Sequence, residues 1–306
     1  MSQKIRGMIL YSVQEHQLVE ADYSVTRLLQ AARAKGVEMT VVTPSQFEMV
    51  VTRADRKSIL VDDQPVLLPD FVLPRLGANT SYYAFSVLRQ LEHLGVYIAN
   101  DAKAVYSVKD KLAMYQLLSN SRLSTPKTML AKYPINASTV EREIGFPLII
   151  KNVSGMQGSG IYLCDSKDKF EDVIELIYSN NDKANIILQE FVKTSYGKDI
   201  RVFVVGGKVM GSMIRTSNGS FKSNFSKGGS VSPFEMTPEV EWLATDVAKL
   251  FNLDIAGVDL LFDEHGYKVC EANSAPGFKG LERVTGKIIA EGIIDYILVK
   301  MGASIE

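Results

Sequence analysis

The sequence predicts an α/β (α+β) chain that changes sheet type along its length, and three observations carry that reading. Residues 1–100 alternate strand-like and helix-like apolar patterns, as a parallel sheet joined by helices does. A glycine-rich loop, "NVSGMQGSG", then separates two strand-like runs rather than a strand and a helix. From about residue 186 onward strand-like runs follow one another with a single helical pattern between them, which is antiparallel behaviour.

The elements follow in order. Residues 7–11 read as a strand. Over 24–35, Val25, Leu28, Leu29 and Ala32 recur at helical spacing, and Gly36 is placed to stop the helix. Residues 37–43 and 70–73 are strands, 81–94 are helical up to Gly95, and 96–99 are a strand. The first strand leads into "YSVQEHQLVEADYS", which lacks the glycine fingerprint of a dinucleotide site. Ser107 with Asp110 three residues on resembles a capping box opening the helix "VKDKLAMYQLLSNS". Residues 146–152 and 161–164 are strands, and 169–178 a helix. Residues 186–192, 201–205, 208–215, 255–262 and 267–273 are strands, with a tight turn at Gly206-Gly207 and one helix over 238–251. The expected division is 1–100, 101–185 and 186–306.

The chain has 306 residues, 46% of them hydrophobic, enough for a large core shared by two or three domains. With 34 basic and 35 acidic residues the net charge is −1, which gives no general pull toward nucleic acid or an anionic membrane. Cys164 and Cys270 each lie in an apolar run, and His16, His93 and His265 are scattered. No disulfide framework or zinc spacing exists, so a reducing cytoplasm is expected. The start shows no signal peptide, and no apolar run is long enough for a membrane span. No internal repeat is visible.

The segment 257–277, "GVDLLFDEHGYKVCEANSAPG", is the most chemical part of the chain. Its centre, Asp263-Glu264-His265-Gly266, has the make-up of a hairpin turn. A hairpin centred near His265 sets Asp259 opposite Glu271, and Asn273, two residues on, shares that face. An acid in a strand usually lies on a solvated face, but Asp259 is embedded among apolar residues, and a buried carboxylate needs a partner or a metal. Three hard oxygen donors suit Mg²⁺ or Mn²⁺, which share their shell with substrate phosphates.

A phosphate site is the natural complement. In "LIIKNVSGMQGSGIYLC", Gly155, Gly158 and Gly160 free backbone N–H groups to face an anion, and Lys151 supplies a point charge beside them. No Gly-Lys-Ser/Thr follows, so this is not a P-loop, and a glycine turn between strands is by itself ordinary. The run Gln189-Glu190-Phe191-Val192 ends an apolar strand with backbone groups and apolar area for a purine. Asp199, Arg201 and Arg215 follow. The basic, flexible run 222–229, with Lys222, Asn224, Lys227, Gly228 and Gly229, reads either as a solvated loop or as one that closes on phosphate or a substrate carboxylate.

Taken together, these residues resemble the ATP-grasp ligases of the RimK type. The resemblance runs over roughly 70–285 through "PRLG", "LRQLEHLG", "KDKLAMYQLL", "IIKNVSGMQGSGI", "QEFV", "GKDIRVFVVGGKV", "FKSNFSKGG", "AGVDLL" and "CEANSAPGFKGLE". It implies an ATP-grasp fold with an N-terminal parallel-sheet pre-ATP-grasp domain, a central subdomain and a C-terminal subdomain with the metal site. It implies Lys111 and Lys151 on the nucleotide phosphates and the 189–192 run at the adenine, with Asp199 near ribose and hinge. Arg201 and Arg215 would lie by the γ-phosphate and acyl phosphate. Asp259, Glu271 and Asn273 would hold Mg²⁺ or Mn²⁺, two ions in all. Lys222 and Asn224 match a loop that in the family carries Arg and Asn, and the lysine gives up bidentate geometry there.

The function so implied is an ATP-dependent carboxylate–amine ligase that forms an amide through an acyl phosphate and releases ADP. The expected substrates are an amino-acid donor such as glutamate and a carboxylate acceptor, with Arg75 of "PRLG" gripping a carboxylate and Gly228-Gly229 bordering it. The chemistry needs positioned phosphates rather than a covalent nucleophile, which fits an inventory of Lys, Arg, Gly and metal ligands. No nucleic acid or membrane partner is expected, and a homo-oligomer (dimer or tetramer) is compatible. Two other readings stay open here. A small-molecule ligase of glutathione-synthetase or D-alanine-ligase type would share every ATP residue. A non-catalytic ATP-binding regulator would not need the intact metal triad.

Overall fold

A parallel four-stranded sheet opens the chain, its inner strands over 7–10 and 71–74 apolar and covered by helices on both faces. The computed structural model describes residues 4–51, 59–77, 80–152, 160–221 and 229–303. β1 (Arg6–Leu10), α1 (Tyr23–Ala34), β2 (Glu38–Val42), β3 (Phe47–Met49), β4 (Ile59–Val61), β5 (Gln64–Pro65), β6 (Phe71–Pro74), α2 (Tyr82–His93) and β7 (Tyr97–Ile98) come first. The parallel order is β2-β1-β6-β7, and β3-β4-β5 form a small separate antiparallel sheet that the sequence pattern did not announce. The chain leaves β1 toward β2 on one side and reaches β6 on the other. The crevice at the carboxyl ends of β1 and β6 is therefore the topological switch point.

Next come α3 (Ala102–Lys109) and α4 (Lys111–Ser119), where the sequence suggested one helix opened by Ser107. Asp101 caps α3 instead, and Asp110 breaks the run: its Oδ1 accepts the N–H groups of Leu112 and Ala113 at 3.0 Å each, starting α4 afresh. Ser107 merely bonds back to Lys103 O within α3. This break sets Lys111 on the first turn of α4, with Tyr115 one turn along the same face.

The central unit holds β8 (Thr128–Ala131), α5 (Ala137–Glu143), β9 (Leu148–Asn152), β10 (Ile161–Cys164), α6 (Lys167–Asn180) and β11 (Ile186–Glu190). Its antiparallel order is β10-β9-β11-β8, so the 186–190 strand, which the sequence placed with the C-terminal part, pairs with the central sheet. α5 and α6 cover one face around Phe170, Ile174 and Leu188.

β12 (Lys198–Val205), β13 (Lys208–Thr216), β14 (Ser230–Pro233), α7 (Pro238–Leu250), β15 (Ile255–Asp263), β16 (Gly266–Asn273), α8 (Lys279–Thr285) and α9 (Ile289–Lys300) complete the chain. The last sheet is antiparallel, in the order β14-β13-β12-β15-β16. Gly206 and Gly207 turn the β12–β13 hairpin at φ +57° and +74°, as a two-residue hairpin loop requires. One face of this sheet packs α7, α3 and α4 through Val202, Val204 and Val258. The other face joins α1 and α9 at one end, around Phe203 and Phe278, and carries the charged residues at the other. The N-terminal sheet and the last sheet thus share a core. No helix among the described residues is long and apolar enough to cross a membrane.

Candidate active site

Strand register builds the site. Arg201 on β12 pairs with Asp259 on β15, which pairs with Glu271 on β16, so one transverse row carries all three. Asp199, two residues from Arg201 and therefore on the same face, pairs with Arg215 on β13. The side chains follow the backbone. Arg201 donates from Nε and Nη2 to the two oxygens of Asp259 at 2.7 and 2.6 Å, and Arg215 grips Asp199 in the same manner at 2.7 and 2.6 Å. Arg215 Nη2 also reaches Asp259 Oδ2 at 2.8 Å, closing the four charges into one network. Burial disfavours the Asp259 carboxylate, but Arg201 and Arg215 outweigh that and hold its pKa below the usual aspartate value.

This geometry gives carboxylate or guanidinium partners to three of the expected site residues. Asp199, expected beside a ribose, has its carboxylate committed to Arg215 inside the sheet. The two arginines, expected to face phosphate, each use Nε and Nη2 on carboxylates; with five N–H donors in a guanidinium, both keep Nη1 for another anion. Asp259, meanwhile, has about four acceptor positions and three are taken, which leaves one for a cation.

Asp259 and Glu271 do face each other, but by a route the sequence hid. The hairpin turns at Glu264-His265, with Asp263 opposite Gly266, and this register would carry Glu271 to Val258. The register shifts between Leu260 and Asp259, leaving Cys270 as the extra residue and bringing Glu271 to Asp259. Asn273 donates Nδ2 to Gly257 O at 3.3 Å, so Oδ1 is the end able to meet a cation. Among the described residues no three His, Cys, Asp or Glu side chains gather. Two carboxylates and one amide oxygen fit a hard divalent ion whose remaining ligands are phosphate and water, as Mg²⁺ prefers.

Lys151 lies one residue from the end of β9. Its Nζ donates to Tyr115 Oη at 3.0 Å, and Tyr115 donates to Cys270 O at 2.7 Å. Burial opposes the ammonium charge, yet the Tyr115 contact and the Glu271 carboxylate leave Lys151 with a pKa above that of an ordinary lysine. Lys111 lies one turn before Tyr115 on α4, so both expected phosphate lysines flank this tyrosine.

The expected hinge is fastened from several sides. Gln189 is buried and donates to Thr128 Oγ1 at 2.9 Å. Glu190 accepts from Lys127 N at 2.9 Å and from Lys268 Nζ at 2.7 Å. Burial alone would raise the Glu190 pKa, and these donors hold it below the usual glutamate value. Phe191 meets Tyr196 edge to face at 6.1 Å, Val192 is buried, and Thr194 and Ser195 bond to Phe262 of the metal hairpin. The sequence reading missed Tyr115, Lys268 and Thr128. Only Tyr115 carried a signal, its helical spacing from Lys111.

Arg75 follows β6 at the switch point and is 7% exposed. It donates to Pro276 O at 2.6 Å and has no carboxylate partner among the described residues; burial lowers its pKa to about 10. Pro276 in turn lies over Gly257, where an added Cβ would meet Pro276 Cβ at 2.6 Å and Arg201 Cδ at 3.8 Å. One proline therefore separates Arg75 from the arginine–aspartate network. Gly160 enters β10 at φ +80°, and Gly229 directly precedes β14. Gly155, Gly158, Lys222, Asn224, Lys227 and Gly228 lie outside the described residues.

Known proteins match this arrangement along almost the whole chain. Residues 17–105 match the RimK PreATP-grasp domain and residues 108–297 the RimK-like ATP-grasp domain. A protein of Methanococcoides burtonii named "Probable alpha-L-glutamate ligase" is 42% identical over 277 residues, covering 90% of this chain and 91% of its own. Among solved structures, the ATP-grasp ligase PsnB, complexed with a phosphomimetic variant of its minimal precursor, Mg and ADP, superposes with a TM-score of 0.72 at 22% identity, covering 98% of this chain and 99% of its own. The D-alanine–D-alanine ligase of Bacillus anthracis complexed with ATP gives 0.69 at 17% identity over 98% and 97%. The two domain matches, met by a strand row that carries paired carboxylates beside a lysine-bearing sheet, establish that the chain belongs to the RimK-like ATP-grasp family.

Proposed function

We propose that the chain is an ATP-dependent, ADP-forming ligase that joins glutamate, or a closely related amino acid, to an acidic carboxylate acceptor. The observation that carries this reading is the Arg201–Asp259–Glu271 row with Lys151 beside it, in a chain of the RimK-like family. The ligase chemistry belongs to the family. The glutamate rests on relatives named for that activity, at 42% identity in the case above.

In this reading Lys111 and Lys151 hold the nucleotide phosphates, and 189–192 receive the adenine. Gly155, Gly158 and Gly160, with Lys222 and Asn224, close over the phosphates. Asp259, Glu271 and Asn273 hold Mg²⁺ or Mn²⁺, two ions in the fully loaded site. Ions held by these three residues would neutralise β- and γ-phosphate charge. An acceptor carboxylate oxygen attacks the γ-phosphorus, the bond to ADP breaks, and an acyl phosphate forms. The amine nitrogen then attacks the acyl carbon, phosphate leaves, and the nitrogen gives its proton to solvent. The free Nη1 groups of Arg201 and Arg215 are suited to the acyl phosphate, and their carboxylate partners fix the two guanidinium planes beforehand.

Arg75 supports an anionic substrate. It is a buried cation with no anionic partner among the described residues, at the carboxyl end of β6, where open parallel sheets receive ligands. Gly228 and Gly229 would border the same carboxylate. The two thiols, unpaired with each other, agree with a reducing cytoplasm. The test is incubation with ATP, Mg²⁺ and a panel of amino acids and acidic peptides, read by product mass. Gain of glutamyl residues is expected. ATP binding with no ligated product from any pair would overturn the reading.

A further inference from the structure

The phosphate lysine and the metal hairpin belong to different sheets. Lys151 lies on β9 of the central sheet, and Glu271 lies on β16 of the last one. Phosphoryl transfer needs the cation on the phosphates and the metal carboxylates at a set separation, since catalysis here rests on positioning and charge. Sheet hydrogen bonds do not set that separation; the Lys268–Glu190 pair ties the two sheets at one end, and Lys151 itself needs a tie of its own.

We infer that Tyr115 is the positioning residue that supplies it, through a single hydroxyl shared between Lys151 and the bulge beside Glu271. The inference rests on the ligase reading above, and three observations carry it. The hydroxyl accepts from Lys151 Nζ at 3.0 Å and donates to Cys270 O at 2.7 Å, two bonds of opposite sense, and the Gln189 side chain also reaches it. Its partner Cys270 is the extra residue of the β16 bulge that puts Glu271 opposite Asp259. Tyr115 itself is 6% exposed and packed beside Met114 and Leu118 on α4, so its ring has little freedom to move.

The contact with Lys151 is a hydrogen bond rather than a ring contact. Nζ stands 5.4 Å from the ring centre but 3.0 Å from the hydroxyl, so it sits beyond the rim instead of over the face. An ammonium has three N–H donors, and the hydroxyl takes one, which leaves two for phosphate oxygens. The donated hydrogen bond to Cys270 O matters as much. A bulge leaves backbone groups outside the ladder, and this carbonyl is satisfied by the tyrosine. Removing the hydroxyl frees the lysine and the bulge together, while the ring still fills its place in the core.

The experiment compares wild type, Tyr115→Phe, Lys151→Ala and the double variant. ADP affinity is read in excess Mg²⁺ by calorimetry, and Mn²⁺ affinity in the presence of ADP by electron paramagnetic resonance. Thermal melts check that each variant is folded. Tyr115→Phe is expected to weaken both affinities about tenfold or more, as loss of an outer partner of a metal site does. It is expected to add less than about twofold to the ADP defect of Lys151→Ala, because the two act as one unit. The Mn²⁺ loss should persist in the lysine variant, since the bulge is freed either way. Wild-type affinities in Tyr115→Phe, or an effect on ADP that is undiminished without the lysine, would overturn the inference and leave the ligase reading intact. A wild-type protein that binds neither Mg²⁺–ADP nor Mn²⁺ would overturn both.

Discussion

Asp259 and Glu271 stand opposite each other only because Cys270 is bulged out of β16. The pair differs in what else holds it. Asp259 is 4% exposed and tied to two arginines, whereas Glu271 is half-buried and makes no ion pair among the described residues. Substitutions at the two positions should therefore look alike in turnover and unlike in stability.

Glu271→Gln is expected to cut turnover about a hundredfold or more while the melting temperature stays nearly unchanged. Asp259→Asn should lose turnover to at least the same degree and also destabilise the fold by about 3 kcal/mol, because it takes the only carboxylate among the described residues from Arg201 and the second of two from Arg215, which keeps Asp199. Denaturant melts with steady-state rates check both. Equal stability in the two variants would show that the arginines do not depend on Asp259.

Lys268 holds Glu190, in the proposed adenine hinge, by a 2.7 Å bond. Lys268→Ala should raise the KM for ATP about threefold to tenfold with little change in kcat, since the change is to the binding surface for adenine and not to the reacting phosphate. The pair is partly exposed, so its contribution to stability should stay below about 1 kcal/mol. A fall in kcat at unchanged KM would separate Glu190 from nucleotide binding.

Arg75→Ala should raise the KM of the carboxylate substrate and leave ATP binding nearly as it was, because Arg75 follows a strand of the N-terminal sheet and, among the described residues, Pro276 stands between it and the network. A variant that weakens ATP and acceptor equally would make Arg75 a structural clamp on Pro276.

Burial raises the pKa of both Cys164 and Cys270 from 9.0 to about 11. At pH 8 about one thiol in a thousand is then ionised, so native protein should react slowly with a thiol-disulfide reagent and denatured protein quickly. The sign of the stability effect follows. The unfolded thiols ionise near pH 9 and the native ones only near 11, so the unfolded chain holds fewer protons in that window and stability falls as pH rises through it. Rapid labelling of either thiol in the native protein at pH 8 would contradict this.

Much of this was legible before the structure. The parallel layer over 1–100, the antiparallel strands after it and the Asp259–Glu271 pairing all follow from period and turn chemistry. The pairing came out right by cancellation: a centre at His265 instead of between Glu264 and His265 is offset by one bulged residue, and nothing in the run Val269-Cys270-Glu271 marks a bulge. The 186–190 strand was assigned to the wrong sheet because an apolar strand carries no label of its partner. Asp110 hid the break between α3 and α4, since an aspartate can sit in a helix or cap one. The carboxylate partners of Arg201 and Arg215 were out of reach as well, because opposite charges on neighbouring strands can pair or face a ligand equally well by sequence.

The proposed ligation depends on the acyl phosphate. The most direct measurement uses an acceptor whose carboxylate is labelled with ¹⁸O, incubated with the protein, ATP, Mg²⁺ and glutamate. Attack of that carboxylate on the γ-phosphorus, followed by amine displacement, predicts one ¹⁸O in the released phosphate and one ADP for each amide formed. Label retained wholly in the amide product and residual acceptor, or AMP and pyrophosphate in place of ADP and phosphate, would contradict it.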